Sequence, residues 1–197
     1  RPQHLLMRVA VGVHKRDIMV DRVVAARDAQ AEAKEQFLTA MEQFKGVVAF
    51  QGGDLEREYH KLDATLKDSE ARAVEVRERI AAVEDVSEAL FSEWEGELGQ
   101  YASSSLRQAS QRKLDATRRR YTQLLAAMKK AEARLEPALV PLRDQVLFMK
   151  HNLNARAIAG LSDEVVSVQA NVDRLVREME SAITQADAFI AELKAEE

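Results

Sequence analysis

The stretch with most chemistry to offer is Lys150-His151-Asn152-Leu153-Asn154-Ala155-Arg156, which joins an imidazole, a guanidinium and two amides. With a carboxylate beside it, such a set could hold a small anion or assist a metal. Asp54, in the turn Gln51-Gly52-Gly53-Asp54, is the carboxylate that an antiparallel helix pairing brings to the same end. Asp54, His151, Asn154 and Arg156 therefore form the one candidate ligand site. The structural alternative is preferred: Asn and Arg side chains commonly satisfy free backbone groups where helices end, and so brace neighbouring loops.

The other reactive residue types do not assemble. Histidines stand at positions 4, 14, 60 and 151, none in a His-Glu-x-x-His spacing, and the chain has no cysteine to join them as a ligand. No metal and no cofactor is expected. Gly52-Gly53 follows no strand, so it reads as a helix–helix turn rather than a phosphate cradle. No nucleophile motif of the Gly-x-Ser-x-Gly kind occurs. An enzyme is not expected.

Two groups could serve recognition instead. Arg118-Arg119-Arg120, with Arg112 and Lys113 upstream, could meet phosphates. A net charge of −4 and a pI near 5.7 argue against nucleic acid as a partner. Trp94 and Tyr101 flank a turn; they either contact a protein or close the hairpin, the second reading being the simpler.

The elements that must position these residues are helices. Charged residues make up 31% and aromatics 5% of the 197 residues, with seven Gly and three Pro, a composition suited to long helices and unsuited to an all-β fold. Apolar residues recur at alternating steps of three and four. The first run is Met19, Val23, Ala26, Ala33, Phe37, Met41, Phe44 and Val48, with Gln30 as a polar member. The second passes from Leu55 through Tyr59, Leu62, Leu66, Ala73, Val76, Ile80, Val83, Leu90 and Trp94 to Leu98, with Ser69 and Ser87 in the stripe. The third carries Leu106, Ser110, Leu114, Thr117, Tyr121, Leu124, Met128, Ala131 and Leu135, then Leu142, Val146, Met149 and Leu153. The fourth carries Val165, Val168, Val172, Leu175, Met179, Ala182, Ala186, Phe189 and Leu193.

The pattern predicts an all-α fold: one elongated antiparallel bundle, coiled-coil or spectrin-like. Its helices span roughly 14–50, 54–99, 104–159 (kinked near Pro137) and 162–196, and 1–13 form an N-terminal segment. Asp54 and Ser162 suit N-caps and Gly160 a C-cap. Short connections make consecutive helices antiparallel, so stripes should meet at a constant sum of residue numbers. Val48 then faces Leu55, Phe44 faces Tyr59, Leu90 faces Leu114, Trp94 faces Ser110, Val83 faces Tyr121, and Leu142 faces Met179. Residues 84–97 hold six acids and no base, while 107–120 hold six bases and one acid. Glu97 with Arg107, Glu93 with Arg112 and Asp85 with Arg119 would fix that register. With the first helix starting near 14, residues 90–114 would project as a hairpin tip.

Several strings resemble one family. They are Gly12-Val13-His14-Lys15-Arg16-Asp17-Ile18, the Ala25 to Phe44 stretch, Gly52-Gly53-Asp54-Leu55, Ala89-Leu90-Phe91 and Asp144 through Ile158. The chain resembles the bacterial domain of unknown function 2959 family over roughly residues 12 to 190. The resemblance implies an exported, helical envelope protein, in the periplasm or associated with the outer membrane. Many such proteins carry a lipoprotein-type signal. The first residue is Arg rather than Met, so a trimmed export signal or N-terminal anchor is expected. The resemblance brings no activity and no catalytic residue.

The leading expectation is a non-enzymatic structural or protein-interaction protein, a spacer or adaptor with a protein partner and capable of homo-oligomerising. Membrane-surface binding is the alternative, motivated by the apolar Leu5 to Val13 stretch and the arginine run. A ligand site at the 51–54/150–156 end is the third.

Overall fold

The computed structural model describes residues 2–196, with side chains described from Lys15 onward. Six helical segments form four rods among them: α1 (Pro2–Val48), α2 (Leu55–Leu98), α3 (Ser104–Glu132) continued by α4 (Leu135–His151), a single turn α5 (Ala155–Ala159), and α6 (Ser162–Ala195). At about 1.5 Å per residue, the 44 residues of α2 run about 66 Å. The fold is the expected all-α elongated bundle. Consecutive rods are antiparallel, and α6 closes the ring by packing on both α1 and α3.

The apolar stripes meet in one continuous core. Met19, Val23, Ala26, Ala33, Phe37, Met41, Phe44 and Val48 are all buried, as are Leu62 to Leu90 of the second stripe and Val168 to Leu193 of the fourth. Each rod also buries residues beside its stripe, among them Ala29, Phe91, Leu139 and Ile190. A helix in a four-rod bundle faces two neighbours, which widens the apolar arc beyond a two-helix seam.

Four expectations about the elements need correction. The first helix starts at Pro2 rather than near 14. Proline suits the first helical turn, and the lone Gly12 costs only about 1 kcal/mol, too little to end a long helix. The projecting tip at 90–114 rested on a start near 14, and that premise is gone.

The third rod, expected to kink or break near 133–141, does break there, and it breaks a second time that was not expected. The first break lies at Ala133–Arg134, ahead of Pro137. A proline ring crowds the carbonyl four residues upstream, here Ala133, while Pro137 itself sits in the first turn of α4, where no helical N–H is needed. Pro141 is inside α4. The second break lies at 152–154, so Leu153 is 40% exposed instead of lying in the seam. Ser162 is the first residue of α6, and its cap position falls on Leu161.

That second break moves the last seam. Lys130 pairs with Glu178 at 3.5 Å and Arg120 with Glu192 at 3.0 Å. Met179 therefore lies beside the Met128–Ala131 turn, about three turns from the expected position opposite Leu142. The rod turns back at His151 rather than at Ala159, and the offset shifts with it.

The middle seam keeps its register at the turn. Trp94 donates to Ser110 Oγ at 2.9 Å, as the pairing requires. Leu106, expected inside, is 58% exposed. Farther along, Tyr121 meets the ring of Phe91, centroids 5.4 Å apart, rather than Val83 alone. Side chains lean toward their own helix N-terminus, so in an antiparallel pair long ones meet at a larger number sum than the backbone register.

The charge pair expected of Glu93 also differs. Glu93 bonds Lys15 of α1 rather than Arg112, while Arg118 bonds Glu95 at 3.0 Å and lies over the Phe91 ring. Arg120 and Lys113 reach Glu196, the residue that follows α6. Much of the basic stretch thus serves the α6 end as well as α2.

Candidate functional site

The polar end of the bundle is built from helix termini. Asp54 precedes α2 and its carboxylate accepts the Arg57 backbone N–H at 3.0 Å, satisfying one of the free donors of that first turn. Gly52 and Gly53 have φ of 76° and 88°, a conformation that costs a residue with a Cβ more than glycine. Across the loop, Asn154 Oδ1 accepts the Ala157 N–H at 2.8 Å and so caps α5. Asn152 Nδ2 donates to the Phe148 carbonyl at 2.9 Å, closing the end of α4.

Arg156 lines a shallow open cleft with Val48 to Gly52, Ala155 and Ala159. Asp54 lines a different open surface with Glu56, Arg57, His60 and Lys61. His151 is exposed at the last turn of α4. Asp54 and Asn154 are thus engaged as caps, and His151 and Arg156 are exposed. Among the described residues no three His, Asp or Glu side chains are placed to hold a metal ion. No described helix is long and apolar enough to cross a membrane.

At the opposite end, Trp94 is half-buried and tied to Ser110, while Tyr101 is exposed beside the Ser103 cap of α3. Trp94 therefore does bind the two arms of the hairpin together.

Ionisable groups elsewhere tie rods to one another. Arg143 donates to Glu70 at 2.7 Å and to Glu136 at 3.1 Å, and Arg77 reaches Glu136 at 3.0 Å, locking the start of α4 to α2. Arg143 first, and Arg77 with it, hold the Glu136 carboxyl below the usual carboxylate range. Arg27 donates to Asp187 at 2.9 Å, and Arg16 to the Leu193 carbonyl at 2.6 Å. These α1–α6 ties were not visible in the sequence, because nothing in a linear pattern announces contact between non-consecutive helices. At the surface each such pair is worth a fraction of a kcal/mol, so they select register more than they stabilise.

Tyr121 is one of two buried tyrosines among the described residues. Burial raises its phenol above the ordinary value of about 10; Glu84 and Glu88 add to the shift, and the Ser87 hydroxyl and Lys129 oppose it. A raised folded-state value means full stability below the unfolded phenol's pKa, and loss as pH rises through the folded one. Tyr121→Phe should therefore lose less stability than the parent between about pH 9 and 11. Urea titrations across that range check it; parallel losses would mean Tyr121 ionises freely. Tyr59, also raised by burial, supplies the residual slope.

The model of the family described as "Protein of unknown function (DUF2959)" matches residues 6–193. No curated protein matches the chain.

Proposed function

The chain belongs to the DUF2959 family, and from that footing we propose that it is a non-enzymatic spacer or adaptor of the bacterial envelope, acting through its helix faces and ends on protein partners. The observation that carries this reading is how the polar groups are used. Asp54 and Asn154 cap helices, and Arg16, Arg27, Arg77, Arg118 and Arg143 bridge one rod to another. The chemistry-bearing side chains are spent on holding long helices in register, which is what a stiff element of fixed length requires.

The envelope location is supported by the likeness of Gly12 to Ile18 and Asp144 to Ile158 to exported helical proteins. A photo-crosslinking residue at Tyr101, in cells of the source organism, tests both parts. The expected result is a discrete protein adduct in the envelope fraction. Recovery of the chain from the cytoplasmic fraction without adducts would overturn the reading.

A further inference from the structure

The outward side of α4 is unlike that of the other rods. Its buried face carries Leu135, Ala138, Leu139, Leu142, Gln145, Val146 and Met149. On the opposite side lie Val140, Asp144, Leu147, Phe148 and His151, recurring at three- and four-residue steps as one exposed stripe. Val140 is 47%, Leu147 56% and Phe148 41% exposed; Leu147 and Phe148 sit side by side on one turn of helix, with Val140 about two turns before them. Beyond Asp144 no acidic residue occurs before Asp163, while Lys150, His151 and Arg156 fall between.

The ionisable groups of this stripe enter no ion pair among the described residues. Arg143, one residue away, is committed to Glu70 and Glu136, whereas Asp144, Lys150 and His151 enter no ion pair. Their arrangement is self-complementary. If a second α4 is laid antiparallel with the twofold axis between Leu147 and Phe148, the Leu147–Phe148 pair of each chain covers that of the other. The same operation sets Asp144 across from His151 of the second copy, and does so twice. An isologous contact has this property: whatever one surface offers, the rotated surface accepts.

We infer that the exposed stripe of α4 docks on the α4 of a second copy of this chain, forming an antiparallel dimer centred between Leu147 and Phe148. The occupant is a second copy rather than an anionic membrane, because Asp144 stands in the middle of the apolar stripe and would face the lipid phosphates. Because α4 lies toward one end of the bundle, the two rods overlap only there and extend in opposite directions. The inference deepens the spacer reading, since it would lengthen the rod, but it is read on the purified chain alone, so neither depends on the other's outcome.

The native chain has no cysteine, which makes thiols specific probes. Chains carrying Asp144→Cys and chains carrying His151→Cys, each otherwise native, should form a disulfide dimer when mixed under oxidation. Neither should do so alone, because each thiol's own copy lies across the axis about 10 Å away along the helix. By sedimentation, Phe148→Glu should weaken self-association more than tenfold with helicity and melting unchanged. Asp144→Lys should weaken it, and the same change combined with His151→Asp should restore it. The inference is overturned by a native chain that stays monomeric, by a dimer indifferent to Phe148→Glu and to the charge exchange, or by crosslinking within one cysteine variant alone. Binding of the monomer to anionic vesicles through Phe148 would overturn it in favour of a lipid partner.

Discussion

Phe37→Ala should lower the unfolding free energy by about 3–5 kcal/mol, the usual cost of replacing a fully buried phenylalanine with alanine. The side chain is wholly enclosed on α1, facing the α2 stripe near Leu66. Truncation removes its transfer free energy and leaves a cavity that two long, stiff helices cannot collapse to fill. For a chain of this length each kcal/mol moves the midpoint by about 2–4 °C, so the melting temperature should fall on the order of 10 °C. Leu106→Ala, at a position expected inside but found exposed, should change stability by less than about 0.5 kcal/mol. Urea melts of the two variants side by side decide the matter. If Phe37→Ala costs less than about 1 kcal/mol, the α1–α2 seam is not packed as described.

The contrast between those two positions shows where periodicity suffices. Along α1 nothing interrupts the helix, so one count of threes and fours places every stripe residue from Met19 to Val48 in the core, Gln30 included. The same holds for Ser69 and Ser87, buried because of their position and not their polarity. Periodicity fails where a side chain competes with the backbone. Asn152 and Asn154 flank Leu153, which keeps the apolar spacing from Met149 and disguises the end of the helix. Their amides instead bond local backbone groups and stop the rod. From that local event follow the exposure of Leu153 and the displaced α6 register, an error of three turns arising from two asparagines.

The candidate ends were legible to differing degrees. Asp54 announces its cap by type and place, and the Trp94–Ser110 bond follows from the register of the middle seam. Arg156 and Asp54 were expected to share a site because both lie at the same end of the bundle. End-to-end position does not say on which side of a rod a side chain emerges, and the two face different surfaces. Leu147 and Phe148 carried a signal that the main stripe concealed. They are out of phase with Leu142, Val146 and Met149, and apolar residues off the core period on a helix mark a second face.

Gln30→Met should stabilise the bundle by about 1–3 kcal/mol, the range of the penalty for leaving a buried polar group unbonded. Gln30 is 0% exposed, and neither its amide nitrogen nor its amide oxygen has a hydrogen-bond partner. Its neighbours in the stripe are Ala26, Ala33 and, across the α2 seam, Ala73, all buried and none able to donate or accept through a side chain. Methionine has nearly the same length and is unbranched, so the exchange removes the polar penalty with little change of shape. The midpoint should rise by about 2–4 °C per kcal/mol gained. A loss of stability would mean that the amide is bonded in solution and that the layer around it is hydrated. The more informative result is a gain in stability with a change in oligomeric state. A polar residue in an apolar seam often fixes register at a cost in stability, by making every slipped alignment worse than the native one. In a bundle whose central layer is alanine-rich, small side chains discriminate poorly between alignments one turn apart. A single buried amide that tolerates only one of them would then account for its presence, and Gln30→Met would yield a tighter bundle with a less certain register.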